Sequence, residues 1–293
     1  MKRISWYIKR IRDYLEYSQE EFADELSVAF STVNRWERGE AFPNDTAQIA
    51  IYTICERYNI PAGKLVLDKL SQESNDVIEN IGEVKLYHGS REGISGEIAP
   101  ISRKGCDFGR GFYMGTDIEQ ALTLVSENKH PKLYIVTLNL DKISLENFGS
   151  GFDWVMIIAY FRGRLENIKG TKLYNKYKEM AENGADVYYG EIADDRILDS
   201  LRLFYNDYLT DTALLKSLSA IDLGWQYSAK NEKACREINI KKEIEILRFE
   251  QLALEKILHD KRNEGRLCAE MIRRENLRNG RFFSEILEDD SLI

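Results

Sequence analysis

The chain has 293 residues, of which 43% are apolar and 31% are charged, and its formal net charge is −8. This length and apolar content are sufficient for two domains, or one large domain, with a real hydrophobic core. The negative net charge disfavours wholesale coating of nucleic acid, although a small local DNA-reading face remains compatible with it.

Cysteine and histidine usage argues against disulfide and metal chemistry. The four cysteines are scattered without C-x-x-C pairs, and only three histidines are present. Reduced structural thiols are therefore favoured, and no metal site is expected. No apolar run approaches the length of a membrane span, and no apolar segment follows the basic residues near the N-terminus. We expect a soluble cytoplasmic protein with no membrane partner.

Residues 1–70 are predicted to form an all-α bundle of short helices. Ser18 and Glu21 have the spacing of a capping box, so a helix should begin there. A second helix is predicted from Ser31 to Arg38, and Gly39 is suited to end it. Further apolar residues at helical spacing complete the bundle.

The sequence between residues 18 and 40, with Ser-Gln-Glu-Glu-Phe-Ala followed by Ser-Thr-Val-Asn-Arg-Trp-Glu-Arg-Gly-Glu, closely resembles the helix-turn-helix of phage-repressor-like (XRE/Cro-type) regulators. The resemblance implies that the second helix enters the major groove and that Gln19 helps to clamp the phosphate backbone. It implies a homodimer on operator DNA. The residues that would face the bases are Phe30, Ser31, Thr32 and Arg35.

A protein-docking role is the alternative for this helical segment. Residues 1–70 contain ten basic and eleven acidic side chains. Nonspecific attraction to phosphates is therefore weak. DNA binding and protein docking both remain open from the sequence.

The rest of the chain divides into three parts. Residues 71–83 are small and polar and are predicted to be a linker. Residues 84–247 contain short strands interrupted by helices without regular βαβ alternation, which favours an α+β domain. Residues 248–293 carry apolar residues at helical spacing and are expected to form a helical C-terminal extension. We expect the extension to pack on the body or mediate dimerisation, and a partner-binding tail is the alternative.

Two predicted strands deliver polar residues and glycines to their ends. One strand covers 84–87 and ends at His88 and Gly89, and the other covers 111–115. Glycine lets the backbone approach a ligand closely, because no Cβ stands in the way. The pattern predicts a ligand-binding cleft.

Four motifs in this order resemble the bacterial DUF3990 family: Tyr-His-Gly at 87–89, Asp-Phe-Gly-Arg-Gly-Phe-Tyr at 107–113, Gly-Glu-Ile-Ala-Asp-Asp at 190–195 and Trp-Gln-Tyr-Ser at 225–228. The first two motifs also resemble the nucleotide-binding motifs of ADP-ribosyltransferases. This resemblance implies an ADP-ribosyltransferase-like domain that uses NAD as a co-substrate and needs no metal.

The resemblance also implies roles for individual residues. His88 would bind a ribose hydroxyl, Gly89 would meet the carboxamide through its backbone, and Tyr113 would stack on the nicotinamide. The alternative for Tyr113 is an ordinary core tyrosine. Arg110 would either pair with the pyrophosphate or be a solvated surface arginine. The other implied cofactor contacts are Ser90 and Gly111.

The position that usually carries a catalytic glutamate is Gln226 in this chain. Glutamine can accept a hydrogen bond from a ribose hydroxyl, but it brings no negative charge and cannot act as a base. Asp194 and Asp195 are candidates for the missing charge, unless Asp194 only caps the following helix.

Two functions follow from these observations. The first is a mono-ADP-ribosyltransferase that modifies a macromolecular acceptor, as a bacterial toxin or phage-defence effector with an antitoxin as a further partner. The alternative is a DNA-binding transcriptional regulator whose second domain binds NAD or a related nucleotide without chemistry. Gln226 favours the alternative.

Overall fold

A computed structural model of the chain describes residues 2–193, 195–219, 224–276 and 279–289, without the side chains at 195, 196 and 273. Within these ranges no helix is both long and apolar enough to cross a membrane. The same residues contain no group of three or more His, Cys, Asp or Glu side chains arranged as metal ligands. All four cysteines are free thiols.

The N-terminal part is helical, as the sequence predicts. The predicted capping box is present: the Ser18 hydroxyl accepts from the Glu21 N–H at 3.2 Å, and the Glu21 carboxylate accepts from the Ser18 N–H at 2.7 Å. Gly39 follows the second predicted helix with φ of +70°, which suits glycine at a helix end. The five helices are α1 (Lys2–Tyr14), α2 (Gln19–Glu25), α3 (Phe30–Glu37), α4 (Asp45–Arg57) and α5 (Ala62–Ser74).

The predicted linker is shorter than expected. Helix α5 continues through Ser74, and the first strand begins at Glu83, so only residues 75–82 connect them. The Ser74 hydroxyl lies 2.6 Å from the hydroxyl of Tyr87 in that strand. Lys242, on another strand, donates to the Glu73 carbonyl at 3.0 Å. The end of α5 is therefore attached to the sheet.

In the part of the chain that the structure describes, seven strands form one mixed sheet, in the spatial order β4-β5-β6-β2-β1-β3-β7. Among these strands only the β4–β5 pair is parallel. The sequence indicated no strand at β4 or β7, but the α+β arrangement agrees with the prediction. The strands are β1 (Glu83–Ser90), β2 (Phe112–Gly115), β3 (Lys132–Asn139), β4 (Leu145–Gly149), β5 (Val187–Glu191), β6 (Trp225–Ala229) and β7 (Ile238–Glu245).

Helices cover one face of this sheet, and a smaller core lies on the other face. A large apolar cluster that includes Trp154 and Phe204 packs on the first, which we call the helical face. The second, which we call the loop face, carries Leu86, Phe112 and Tyr134 beside residues of the 91–111 loop. The remaining helices are α6 (Ile118–Thr123), α7 (Phe152–Phe161), α8 (Lys172–Ala181), α9 (Asp195–Tyr205), α10 (Asp211–Ser219), α11 (Glu232–Arg236), α12 (Arg248–Glu275) and α13 (Phe283–Glu288), with a 3-10 turn at Glu166–Ile168.

Helix α12 joins the N-terminal helices to the sheet domain. It packs against α4 and α5 near its start and also against α9 and α10. The rings of Tyr7 and Phe249 lie 5.1 Å apart between centroids. The Phe249 N–H donates to the Gln48 side chain at 3.1 Å. The predicted extension therefore packs on the body, and it shares one apolar cluster with the N-terminal helices.

Candidate functional site

The outward side of α3 is accessible to a partner. Val33 and Trp36 on its inner side are buried in the domain core. Phe30, at the start of the helix, is 51% exposed. The four residues predicted to face DNA are all exposed or half-buried: Phe30, Ser31, Thr32 and Arg35. The structure therefore brings them together on one open surface.

Gln19, the residue predicted to clamp phosphate, bonds to α3 within the helical domain. Its amide donates to the Glu37 carboxylate at 2.6 Å and accepts from Asn34 at 3.0 Å. Arg12 donates to the same carboxylate at 2.6 Å. Through these bonds the Gln19 side chain holds α2 against α3. The amide nitrogen has a second N–H, so the predicted phosphate contact by the side chain and by the backbone N–H groups that begin α2 remains compatible with this arrangement.

The two motif strands separate next to His88. Strands β1 and β2 share a single pair, Tyr87 opposite Gly115. Beyond that pair β1 continues along β3, while β2 continues along β6. The Nδ1 atom of His88 lies 2.7 Å from the Tyr113 carbonyl oxygen, across the point of separation. The ring of His88 stacks on Phe112 with 4.2 Å between centroids.

The protonation of His88 follows from these contacts. Burial lowers the pKa of His88, so the imidazole is neutral at pH 7. A carbonyl oxygen can only accept, so Nδ1 carries the proton and Nε2 is left as an acceptor. This tautomer suits a partner hydroxyl, and the ring itself lies on the loop face of the sheet.

Tyr113 lies on the opposite, helical face, because successive residues of a strand alternate between faces. Its hydroxyl accepts from the Phe108 N–H at 2.9 Å and donates to the Gly109 carbonyl at 2.7 Å. Burial raises the pKa of Tyr113 well above its usual value. Tyr113 therefore anchors the glycine-rich loop. The rings of His88 and Tyr113 therefore lie on opposite faces of the sheet, and the aromatic neighbours of His88 are Phe112 and Tyr134.

Gln226 is buried in a polar network on the helical face. It is 8% exposed, and its amide donates to the Asp107 carboxylate and to the Glu191 carbonyl, both at 3.0 Å. The second carboxylate oxygen of Asp107 accepts from Arg162 at 2.5 Å. An amide fits this position because it can donate to a carboxylate, whereas a glutamate would repel it.

The predicted cofactor glycines are required by packing alone. A Cβ atom on Gly89 would lie 2.2 Å from the Ala121 carbonyl oxygen. A Cβ atom on Gly111 would lie 2.1 Å from the Ser228 hydroxyl. Neither close approach involves a ligand, so these glycines are not by themselves evidence for a nucleotide.

Ser90 and Arg110, whose side chains the structure describes, have other partners than His88 or face solvent. The Ser90 hydroxyl accepts from the Gly93 N–H at 3.0 Å. Arg110 is exposed, and its carbonyl accepts from Lys230 at 2.5 Å. Asp194 lies outside the described residues. Asp195 is the first residue of α9, and its side chain is not described.

Lys230 is a structural contact that sequence reasoning missed. Its ammonium donates to the carbonyls of Phe108 and Arg110 and lies over the rings of Phe161 and Tyr188. Burial lowers the pKa of Lys230 to about 8. Lys230 and the hydroxyl of Tyr113 thus fix the glycine-rich loop from two sides.

A cavity of about 940 Å³ lies between the end of α7, helices α9 and α12, and the 103–105 loop. Arg162 lines this cavity and also binds Asp107, so it connects the cavity to the Gln226 network. Asp199 is the carboxylate among the lining residues. Six arginines line it: Arg103, Arg162, Arg164, Arg202, Arg262 and Arg266.

Family models match two parts of the chain. A family model described as a protein of unknown function (DUF3990) matches residues 84–240, more than half of the chain. The chain belongs to the DUF3990 family. A helix-turn-helix family model (HTH_3) matches residues 8–65. No curated protein matches the chain, and no solved structure matches it.

The four DUF3990 motifs lie on neighbouring parts of the sheet. Strands β1, β2, β5 and β6 carry them, and β5, β6, β2 and β1 are consecutive in the sheet. Asp107, which the second motif contains, binds Gln226 of the fourth motif. The motif was recognisable in the sequence, but the role of Asp107 depends on a contact across 119 positions.

Proposed function

We propose that this DUF3990 protein is a DNA-binding transcriptional regulator whose second domain binds NAD or a related nucleotide without chemistry. The observation that carries the DNA-binding half is the open side of α3. That side stays exposed while α4 and α5, elsewhere in the same domain, pack onto α12. A recognition helix must offer polar side chains to base edges, and Ser31, Thr32 and Arg35 meet that requirement.

The non-catalytic half of the proposal is supported by how the expected catalytic side chains are engaged. Gln226 donates to Asp107 and Glu191, and Tyr113 is held by the glycine-rich loop. A joint catalytic role would require these side chains to reach one reacting centre. The His88 ring lies on the loop face, whereas Tyr113 and Gln226 lie on the helical face, where both bond to the protein itself.

Arg35→Ala and Thr32→Ala should each weaken binding to the DNA upstream of the protein's own gene. A lost base contact costs about 1–3 kcal/mol, which is roughly 5- to 150-fold in affinity. Gel shifts with full-length protein at fixed salt measure this effect. Arg236→Ala is the charge-matched control, because this arginine lies on α11 and pairs with Glu232. Equal weakening by Arg35→Ala and Arg236→Ala would contradict base reading by α3.

The DNA site is expected to be roughly palindromic. One helix-turn-helix reads too few base pairs for useful selectivity, so two copies of the chain should bind related half-sites. Analytical ultracentrifugation of the complex would give its stoichiometry.

A mono-ADP-ribosyltransferase is the second candidate, and one observation favours it. Strands β1 and β2 separate at His88, and Nε2 of the neutral ring remains an acceptor for a hydroxyl such as that of a ribose. His88 would then orient the nicotinamide ribose of NAD from the loop face. Gln226 and Tyr113 would take no direct part, since they lie on the helical face.

Nicotinamide release from NAD separates the two candidates. Under the regulator proposal, native protein with or without cell lysate should release nicotinamide no faster than buffer. His88→Ala should leave that background unchanged. The transferase would be established instead if the native protein released nicotinamide and a folded His88→Ala variant released it orders of magnitude more slowly.

A further inference from the structure

The arginine-lined cavity concentrates positive charge in an acidic chain. The six arginines and one aspartate of its lining contrast with a formal net charge of −8 for the whole chain. The arginines come from four separate segments: the 103–105 loop, the end of α7, α9 and α12. Segments far apart in the chain thus bring positive charge to one recess.

Carboxylates of the protein neutralise only part of this charge. Arg162 pairs with Asp107 at 2.5 Å, and Arg202 pairs with Asp199 at 3.0 Å. Arg262 pairs with Glu127 at 3.2 Å, a carboxylate that does not line the cavity. Among the residues with described side chains, three lining arginines have no carboxylate within ion-pair distance: Arg103, Arg164 and Arg266.

One hydrogen-bond donor within the cavity wall is also unused. The Nε atom of Arg162 is buried and has no hydrogen-bond partner among the described residues. A buried donor without a partner costs free energy, and a guanidinium without a counter-ion costs more. A bound anion would relieve the mutual repulsion of the arginines.

We propose that this cavity binds the pyrophosphate of a nucleotide. The planar forks of arginine match phosphate oxygens in a bidentate way. The volume of about 940 Å³ is that of a small-molecule pocket. A DNA duplex presents its phosphates on a convex surface, whereas these arginines converge on one recess. Leu198 and Tyr205 add apolar surface to the lining for the rest of the ligand.

This inference rests on the nucleotide-binding half of the proposed function and moves the site away from His88. It also draws on residues beyond the DUF3990 match, since Arg262 and Arg266 belong to α12. Arg266 lies roughly 26 Å along that helix from Phe249, which contacts the helix-turn-helix domain. One helix thus contributes to both the anion cavity and the core under the DNA-binding helices.

Calorimetric titration of the full chain with inorganic pyrophosphate tests the proposal. Native protein should bind it saturably with a stoichiometry of one. The double variant Arg164→Ala/Arg202→Ala should bind at least tenfold more weakly, and both side chains are exposed, so the fold should survive. Arg236→Ala, on α11, should bind like the native protein.

Asp199→Asn provides the opposite test. It removes the lining carboxylate that competes for Arg202, so pyrophosphate should bind severalfold more tightly. If pyrophosphate bound only to general positive charge on the surface, Arg236→Ala would weaken its binding as much as the cavity variant Arg164→Ala/Arg202→Ala does. The proposal would be overturned if folded native protein failed to bind pyrophosphate at millimolar concentration. It would also be overturned if the protein bound a single-stranded oligonucleotide of twelve nucleotides but did not bind pyrophosphate.

These assays test pyrophosphate binding by the cavity and DNA binding by α3 independently. Loss of pyrophosphate binding with intact operator gel shifts would remove the cavity proposal alone. Pyrophosphate binding without any operator binding would keep the cavity and remove the DNA-reading role. Arg35→Ala should leave pyrophosphate affinity unchanged, because it lies on α3, outside the cavity lining.

Discussion

Glu250→Ala should lower the free energy of unfolding by about 3–5 kcal/mol, because it removes one partner of a buried ion pair. The Glu250 carboxylate is fully buried and accepts from Arg3 at 2.8 Å, from the Tyr7 hydroxyl at 2.9 Å and from the Leu247 N–H at 2.8 Å. Its loss leaves the Tyr7 hydroxyl and the Leu247 N–H without this acceptor, and it leaves Glu73, at 3.7 Å, as the carboxylate beside Arg3. Denaturant unfolding followed by circular dichroism measures the change.

Glu264→Ala is the matched control for this prediction. Glu264 lies on the same helix, α12, but is exposed. Its replacement should change the free energy of unfolding by less than about 0.5 kcal/mol. A loss below about 1 kcal/mol for Glu250→Ala would mean that the helix-turn-helix domain is not held to α12 through this carboxylate.

Gln226→Glu should lower the free energy of unfolding by about 2–4 kcal/mol at pH 7. The new carboxylate would replace a donor that binds Asp107 and the Glu191 carbonyl, each at 3.0 Å. The introduced carboxylate would then face the Asp107 carboxylate and the Glu191 carbonyl in a buried position, and none of these groups can donate a hydrogen bond. Urea unfolding of native and variant protein gives the difference.

The loss in free energy of unfolding caused by Gln226→Glu should depend on pH. Repulsion by Asp107 and burial should raise the pKa of the introduced carboxyl above its unfolded value. The penalty is therefore present above the raised pKa and shrinks as the pH falls through it. Gln226→Met, which loses the hydrogen bonds but adds no charge, should cost less and should show no such pH dependence. A stable Gln226→Glu variant that gains nicotinamide release would contradict the buried-network account.

Local signals in the sequence were sufficient for most helices and for the motif strands. The capping box of Ser18 and Glu21 and the terminating Gly39 predicted α2 and α3 to within one or two residues. The β7 strand was missed although Ile238, Ile240 and Ile244 are spaced at even intervals. Three charged residues interrupt that pattern, and the strand lies at the edge of the sheet.

The candidate site could not be predicted from the sequence. Contacts between residues far apart in the chain set the strand register and the face of the sheet on which each side chain lies. His88 and Tyr113 both belong to motif strands, yet the pairing of Tyr87 with Gly115 and the alternation of side chains along a strand place their rings on opposite faces. The arginines of the cavity are separated by up to 163 positions, from Arg103 to Arg266. They come together because α9 and α12 pack beside the end of α7 and the 103–105 loop.

The most direct test of DNA regulation is selection from a random-sequence DNA pool by the full chain, with Arg35→Ala in parallel. If α3 reads bases, the native protein should enrich a roughly palindromic sequence, and Arg35→Ala should lose that enrichment while remaining folded. Native protein that is demonstrably folded but enriches no sequence at low salt would contradict the proposed function.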